Sequence, residues 1–234
     1  MDLSCAFQPI VDVNENKVFS YEALVRGKNN ESASYVFSQI PKEDLLIFDQ
    51  QAKKVAIALA AKLKIGCYIN LNFLPCTLQS TGSYISEILE FAEQHHLARN
   101  QIIVEVTEEE VISDPQNFSR FINKYRAMGI KVAIDDFGAG YAGLNLLVDF
   151  LPDIIKLDIN LIRNIHNHGS LQAIVKAILQ ICIDLGIDVI AEGIETLDEY
   201  YWLKSHNIKF FQGFLFAKPG FESLPLVFYP DLLV

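Results

Sequence analysis

The stretch FQPIVDVNENKVFSYEAL, residues 7–24, places two apolar segments on either side of a short polar turn. The segments 7–13 and 18–24 are predicted to be strands, with the polar residues 14–16 between them. Parallel strands need a crossover of a dozen or more residues, whereas a tight turn joins antiparallel strands. The sequence therefore predicts that the chain begins with an antiparallel pair of strands.

Beyond this pair, short β-branched segments alternate with longer segments of helical periodicity. The clearest helix is predicted at 171–185, where apolar residues recur at three- and four-residue steps and Gly186 follows as a C-terminal cap. Similar patterns predict helices at 52–64 and 84–95, and the polar segment 27–34 is predicted to be a loop. The remaining predicted strands are 67–71, 102–107, 132–136, 154–159, 189–194 and 210–216.

Eight predicted strands with helices between most of them indicate an α/β fold, a modified TIM (β/α)8 barrel with an antiparallel first strand. The length of 234 residues suits one such barrel. No low-complexity tract or linker rich in proline and glycine divides the sequence. Residues 1–234 are therefore predicted to form a single domain.

Composition excludes several function classes. The formal charge of -10 argues against broad electrostatic binding to nucleic acid or to an anionic membrane. The four cysteines are scattered, so a disulfide framework and a zinc site are both unsupported. No secretory signal is visible, and no stretch approaches the roughly 20 apolar residues that span a bilayer. The chain is predicted to be cytoplasmic, without nucleic-acid or membrane partners.

The predicted strand ends are unusually acidic. Reactive groups of such a barrel lie at the C-terminal ends of its strands. These ends carry Glu22, Glu105, Asp135, Asp136, Lys156, Asp158, Glu192 and Glu195. Carboxylates held close together need cations to stay ionised, and oxygen ligands suit Mg²⁺ or Mn²⁺. One carboxylate of an adjacent aspartate pair could bridge two cations, so the residues predict a divalent-metal site for phosphoryl chemistry.

Eight segments, in order along the chain, carry a resemblance to a known family: FQPIVDV, YEALVRG, INLNFLP, VEVTEEE, IDDFGAGYAGL, DIIKLDINLI, VIAEGIET and FFQGFLFAKP. The sequence resembles the EAL-domain phosphodiesterases, which linearise cyclic di-GMP, from about residue 7 to residue 219. The resemblance implies a barrel with an antiparallel first strand. It also implies cyclic di-GMP as substrate, linear pGpG as product and two Mg²⁺ or Mn²⁺ ions per site. A homodimer is implied too, with a sensory or GGDEF domain in a longer parent protein.

The resemblance also implies metal ligands. The first metal would be bound by Glu22, Asn70, Glu105 and Asp135. The second would be bound by Asp135, Asp136 and Glu192, so Asp135 would bridge the two metals.

Further roles follow from the same resemblance. Lys156 would hold and polarise the attacking water, and Glu192 would be the general base, with Glu22 as the third catalytic residue. Arg26 would meet a phosphate, and Glu108 would anchor the loop that follows Asp136. Other residues of the ligand cleft would be Gln8, Leu24, Asp158, Glu195 and Gln212.

Two other function classes stay open. The chain could be a receptor that binds cyclic di-GMP without cutting it, or a protein-interaction module that has lost nucleotide binding. Intact metal-ligand positions favour the enzyme. The sequence departs from the family in the loop after Asp136, commonly DDFGTGYSSL and here DDFGAGYAGL, which lacks three hydroxyl groups.

Overall fold

A computed structural model describes residues 2–74, 83–107, 115–140 and 143–233. Its strands are β1 Leu3–Asp12, β2 Lys17–Gly27, β3 Tyr68–Asn72, β4 Ile102–Thr107, β5 Lys131–Phe137, β6 Ile154–Leu157, β7 Asp188–Ala191, β8 Phe210–Gln212 and β9 Gly220–Phe221. Its helices, numbered here in chain order, are α1 Ala33–Ser38, α2 Leu45–Lys62, α3 Ser83–Gln94, α4 Pro115–Ala127, α5 Gly143–Phe150, α6 Ile159–Ile162, α7 Gly169–Leu185 and α8 Leu197–Ser205. The proposed loop anchor Glu108 lies outside the described residues.

The strands close into a barrel. β1 pairs antiparallel with β2 from Leu3↔Gly27 to Asp12↔Lys17. From β2 to β8 each strand pairs in parallel with the next, and β1 closes the circle by pairing antiparallel with β8. The short β9 adds a further antiparallel pairing to β1. The predicted barrel with an antiparallel first strand is therefore confirmed.

The polar turn between β1 and β2 is built from local hydrogen bonds. The carboxylate Oδ1 of Asp12 accepts the backbone N–H groups of Asn14, at 3.0 Å, and Glu15, at 3.2 Å. Asn16 has a positive φ of 48°, a left-handed conformation that asparagine tolerates better than most residues. The residues that separate the predicted strands thus reverse the chain.

An apolar layer fills the barrel below the ends of the strands. It consists of six buried side chains: Ile10, Ile103, Ala133, Ile154, Ile190 and Phe210. In each parallel strand of this layer the residue two positions later is polar, and alternation places it on the same inward face, one layer higher. The sequence pairs Ile103 with Glu105 and Ile154 with Lys156 in this way. A separate and larger apolar core lies among strands and helices.

Three predicted strands end two or more residues earlier than expected, and those boundaries were wrong. β6 stops at Leu157 because Asp158 caps α6, accepting the backbone N–H of Asn160 at 2.9 Å. β7 stops at Ala191, shortly before Gly193, whose positive φ of 65° is incompatible with an extended strand. β8 stops at Gln212, since the chain turns at residues 213–216, where the N–H of Phe216 donates to the carbonyl of Gly213 at 3.1 Å. The early ends of β6 and β7 leave Asp158, Glu192 and Glu195 in loops at the barrel mouth, whereas the residues 213–216 after β8 are apolar or glycine.

The predicted helices are confirmed with shifted limits. α7 begins two residues before the predicted 171–185 and ends at Leu185, where Gly186 caps it with a φ of 71°. α2 begins at Leu45, seven residues before the predicted start, and its buried face includes Phe48, Ala56, Ile57 and Ala60. Among the described residues, every helix is too short or too polar to cross a membrane.

Candidate metal centre

The ammonium group of Lys156 lies at the centre of an acidic cluster in the barrel mouth. Lys156 extends inward from β6 and is 1% exposed. Its Nζ lies close to four carboxylate oxygens: Glu192 Oε1 at 2.7 Å, Glu105 Oε1 at 2.9 Å, Asp135 Oδ1 at 3.0 Å and Glu22 Oε2 at 3.4 Å. These side chains come from five different strands or strand ends. Closure of the barrel therefore brings together charges that are far apart in sequence.

Amide side chains fix the orientation of Glu22. Its Oε1 accepts a hydrogen bond from Asn72 Nδ2 at 2.9 Å, and its Oε2 accepts one from Gln212 Nε2 at 2.7 Å. Gln212 Nε2 also lies 3.4 Å from Oε1 of Gln8, whose own amide donates to the carbonyl of Ala217 at 3.2 Å. Glu22 is thus held at both oxygens before any ligand binds.

A local irregularity in β5 turns two adjacent aspartates toward the same cavity. The register between β5 and β6 shifts between Ile134 and Phe137, and Asp136 has a positive φ of 53°. In a regular strand adjacent side chains point to opposite faces, whereas a bulge redirects one of them. The backbone N–H of Asp136 donates to Asp135 Oδ1 at 3.0 Å, which stabilises this conformation.

Two groups of three carboxylates meet the spacing expected for metal ligands. Glu22, Glu105 and Asp135 have oxygens within 4.8 Å of one another, and so do Asp135, Asp136 and Glu192. Asp135 belongs to both groups. The arrangement can therefore hold two cations that share one carboxylate.

Two buried oxygen atoms support this interpretation. Among the described residues, Asn70 Oδ1 and Glu105 Oε2 are buried without a hydrogen-bond partner, although Asn70 Nδ2 donates to Glu105 Oε1 at 2.7 Å. A buried acceptor without a partner loses the free energy of its hydrogen bonds to water. Five carboxylates against one ammonium group also leave four negative charges, which two divalent cations would neutralise. The donor set thus fits two hard divalent cations.

In the absence of a cation, burial and mutual repulsion shift the pKa values of the side chains in this cluster. Burial raises the pKa of Glu105 to about 8, and repulsion from Glu22 and Asp135 adds to it although Lys156 opposes it. Burial likewise raises the pKa of Glu192 well above its ordinary value. Burial disfavours the ammonium form of Lys156, but the surrounding carboxylates outweigh it and its pKa is raised. Protons and Lys156 together offset part of the negative charge.

A cavity of 320 Å³ opens above the cluster. It brings together nine of the residues predicted from the sequence: Gln8, Glu22, Asp135, Asp136, Lys156, Asp158, Glu192, Glu195 and Gln212. Asn70 and Glu105 are fully buried beside it.

Two other predicted residues lie elsewhere on β2. Leu24 lines a separate apolar cavity of 270 Å³ between the barrel and the first two helices. Arg26 is half-buried, and its Nη1 donates to the backbone carbonyl of Val25 at 2.8 Å. Their roles in ligand binding stay predictions.

Sequence reasoning missed several residues of the acidic cluster and of the 320 Å³ cavity above it. Asn72, which contacts Glu22, follows Asn70 by two residues in the segment INLN, and strand alternation could have identified it. Ile159, Gly193 and Phe214 line the 320 Å³ cavity, and Phe214 is 54% exposed. No polar signal marks these three residues, because their contribution is shape and apolar surface.

Comparison with curated proteins gives relatives across nearly the whole chain. The Escherichia coli protein named blue light- and temperature-regulated antirepressor BluF is 40% identical over 227 residues, which are 97% of this chain and 56% of that protein. The probable cyclic di-GMP phosphodiesterase PdeG of Escherichia coli is 29% identical over 223 residues, 91% of this chain and 44% of that protein. The chain spans about half the length of these curated relatives.

Solved structures with the same fold contain cyclic di-GMP. A calcium and cyclic di-GMP complex of Klebsiella pneumoniae BlrP1 has a TM-score of 0.93 at 41% identity, and the match covers 97% of this chain and 58% of that one. A standalone EAL protein from Vibrio cholerae, in its c-di-GMP bound form, has a TM-score of 0.91 at 44% identity, covering 97% of this chain and 96% of that one. Residues 1–219 match the family described as EAL domain, and the chain therefore belongs to that family.

Proposed function

We propose that this chain hydrolyses cyclic di-GMP to linear pGpG with two divalent cations, Mg²⁺ or Mn²⁺, in the barrel mouth. The observation that carries the proposal is the pair of carboxylate groups that share Asp135. Relatives named as cyclic di-GMP phosphodiesterases and related structures with bound cyclic di-GMP support the choice of substrate.

The proposed metal ligands divide into two sets. Glu22, Asn70, Glu105 and Asp135 would hold one cation, and the two buried oxygens without a partner belong to this set. Asp135, Asp136 and Glu192 would hold the other. Bound there, the cations would bind phosphate oxygens and lower the pKa of a water molecule.

Lys156 and Glu192 would act on the attacking water. The Lys156 ammonium contacts Glu192 Oε1 directly at 2.7 Å, so an attacking water beside this pair could donate a proton to Glu192 while its oxygen accepts from Lys156. Glu22 completes the catalytic residues because its carboxylate is already oriented by Gln212.

The remaining residues would bind the rest of the substrate. The amides of Gln8 and Gln212 and the carboxylates of Asp158 and Glu195 line the cavity beside the cluster. Arg26 is proposed to contact a phosphate, Leu24 to line the cleft and Glu108 to anchor the loop after Asp136.

One assay tests the proposal. Purified protein is incubated with cyclic di-GMP and Mg²⁺ or Mn²⁺, and pGpG is measured by chromatography. Glu22→Ala and Glu192→Ala should each abolish product formation. Glu93→Ala is a matched control, since Glu93 pairs with Arg99 at 2.6 Å at the surface, where the two side chains are 48% and 42% exposed, and the change should leave turnover unchanged. Full turnover in both alanine variants would refute the assignment.

A receptor function is the second candidate, because the relative BluF is named as an antirepressor. A receptor would bind cyclic di-GMP in calorimetry and release no pGpG with either metal. A protein-interaction module would neither bind nor cut the nucleotide.

We further propose that the chain acts in the cytoplasm as a homodimer, as one domain that can be part of a longer protein. α5 supports the dimer because Leu144, Val148 and the following Leu151 are 53%, 73% and 43% exposed on one apolar face. Light scattering should give the mass of a dimer, and Val148→Glu should give that of a monomer. A monomeric wild type would contradict the proposal.

A further inference from the structure

Glu199, near the start of α8, is a fully buried carboxylate outside the acidic cluster. It is the third residue of the helix and forms a capping box with Thr196, whose hydroxyl accepts the N–H of Glu199 at 3.3 Å. A capping box uses the glutamate to accept a backbone N–H at the helix start. Glu199 does more than this, because its hydrogen bonds extend to a second loop.

The two oxygens of Glu199 accept from two different loops. Oε2 accepts the backbone N–H groups of Glu195 and Thr196, each at 3.2 Å, in the loop after β7. Oε1 accepts the backbone N–H of Asn164 at 3.0 Å and lies 3.4 Å from Arg163 Nη1, in the loop after β6. One side chain therefore joins the segments that follow two neighbouring barrel strands.

These two loops form one wall of the metal cavity. The loop after β6 contributes Asp158 and Ile159, and the loop after β7 contributes Glu192, Gly193 and Glu195. They also contact each other, because a Cβ atom at Gly193 would lie only 2.6 Å from side-chain atoms of Ile159. Displacement of the loop after β7 would move Glu192 relative to Asp135 and Asp136, and the loop after β6 packs against it at Gly193.

The four donors explain why this position carries a carboxylate. A carboxylate accepts at both oxygens, whereas a glutamine amide accepts at one oxygen and presents N–H groups at the other end. Burial disfavours ionisation of Glu199, but the N–H groups of Asn164, Glu195 and Thr196 outweigh it, so its pKa lies below the ordinary value. The side chain stays ionised at neutral pH and keeps all its acceptors.

We propose that Glu199 is a positioning residue that holds the loops after β6 and β7 in the geometry needed by the cation of Asp135, Asp136 and Glu192. The expected effect on turnover rests on the proposed function. The expected effect on cation affinity requires only that the cluster binds cations. A residue that only caps α8 would affect stability without affecting cation affinity.

The test replaces Glu199 with glutamine and measures Mn²⁺ binding to the full chain by calorimetry. Loss of an outer-sphere partner typically weakens metal affinity about 10–100-fold. We expect the affinity for one of two bound Mn²⁺ ions to fall about tenfold. The other ion should be unaffected, because its ligands Glu22 and Glu105 do not depend on these loops. Turnover of cyclic di-GMP should fall at limiting Mn²⁺ and recover in excess Mn²⁺.

Asp231→Asn is the matched control. Asp231 accepts hydrogen bonds from Tyr200 and Lys204 of the same helix, and so attaches the C-terminal tail to α8 away from the cavity. It should lower thermal stability and leave both Mn²⁺ affinities unchanged. If Glu199→Gln does not fold, Arg163→Gln removes one of the four donors at a position that is 34% exposed and should give a smaller loss in the same direction.

The outcomes separate this inference from the proposed function. Unchanged Mn²⁺ affinity in Glu199→Gln, or an equal loss in Asp231→Asn, would overturn the positioning role. A wild type that binds two Mn²⁺ ions and forms no pGpG would refute hydrolysis, while the Mn²⁺ affinities would still decide the role of Glu199. Absence of Mn²⁺ binding to the wild type would overturn both.

Discussion

Replacing Lys156 with methionine tests whether one ammonium group stabilises the metal-free acidic cluster. Four carboxylates lie 2.7–3.4 Å from its Nζ, and the side chain is 1% exposed. Methionine keeps the aliphatic chain and removes the charge. Removing one partner of a buried ion pair costs about 3–5 kcal/mol, and 1 kcal/mol shifts Tm by about 2–4 °C in a chain of this length. The metal-free variant should therefore melt roughly 6–20 °C below the wild type at slightly alkaline pH.

This loss of stability should depend on pH, because protons can replace Lys156 as the counter-charge. Burial raises the pKa of Glu105 from 4.5 to about 8 in the folded chain, against the attraction of Lys156. A carboxyl group whose pKa is higher in the folded than in the unfolded chain stabilises the fold at low pH. This contribution is complete below the unfolded-state pKa and is lost as the pH rises through the folded-state pKa. The stabilisation that protonation of Glu105 supplies is therefore complete below pH 4.5 and is lost as the pH rises through about 8. The difference in Tm between the variant and the wild type should be smaller at acidic pH and larger at alkaline pH.

Thermal melts followed by circular dichroism, in chelator and in excess Mn²⁺, measure both effects. Excess Mn²⁺ should restore most of the stability of Lys156→Met, since cations supply the missing positive charge. Lys209→Met is the control: its Nζ lies 2.9 Å from Asp188, but the two side chains are 43% and 33% exposed. Such a pair contributes less than about 1 kcal/mol. A Lys156→Met variant that melts with the wild type at every pH would refute the role of Lys156.

Three further substitutions test other parts of the centre. Asn70→Leu removes a buried oxygen that has no partner among the described residues, and should weaken Mn²⁺ binding by roughly tenfold or more in calorimetry. Gln212→Leu removes the 2.7 Å donor to Glu22 and should lower kcat about 10–100-fold with little change in Tm; an unchanged kcat would contradict the orientation argument. Gly193→Ala places a Cβ 2.6 Å from Ile159 at a φ of 65° and should cost about 1–3 kcal/mol in chemical unfolding, whereas unchanged stability would show that the loops move apart easily.

Much of the centre could be predicted from the sequence because barrel strands alternate regularly. Glu105 lies two residues after Ile103, and Lys156 lies two residues after Ile154, so each polar side chain faces inward above an apolar one. The same rule, applied at the strand ends, gives the residues that line the cavity. The antiparallel first strand was equally predictable, since the short turn permits no crossover.

Other features depend on three-dimensional contacts that the sequence pattern does not contain. Alternation would send Asp135 and Asp136 to opposite faces, and only the register shift in β5, with Asp136 at a φ of 53°, brings both to the cavity. Glu199 looks like an ordinary helix cap in the sequence. Its second role is visible only because the loop containing Asn164, 35 residues earlier, returns to it.

Protons and divalent cations compete for the same carboxylates in this barrel. Burial raises the pKa of Glu105, Asp136 and Glu192, so part of the metal-free cluster holds protons near neutral pH. A cation that binds must displace them, and its apparent affinity should rise with pH. Calorimetry in buffers with different ionisation enthalpies should show release of about one proton or more as two Mn²⁺ ions bind near neutral pH. Binding without proton release would mean that the carboxylates are already ionised and that Lys156 alone offsets their repulsion.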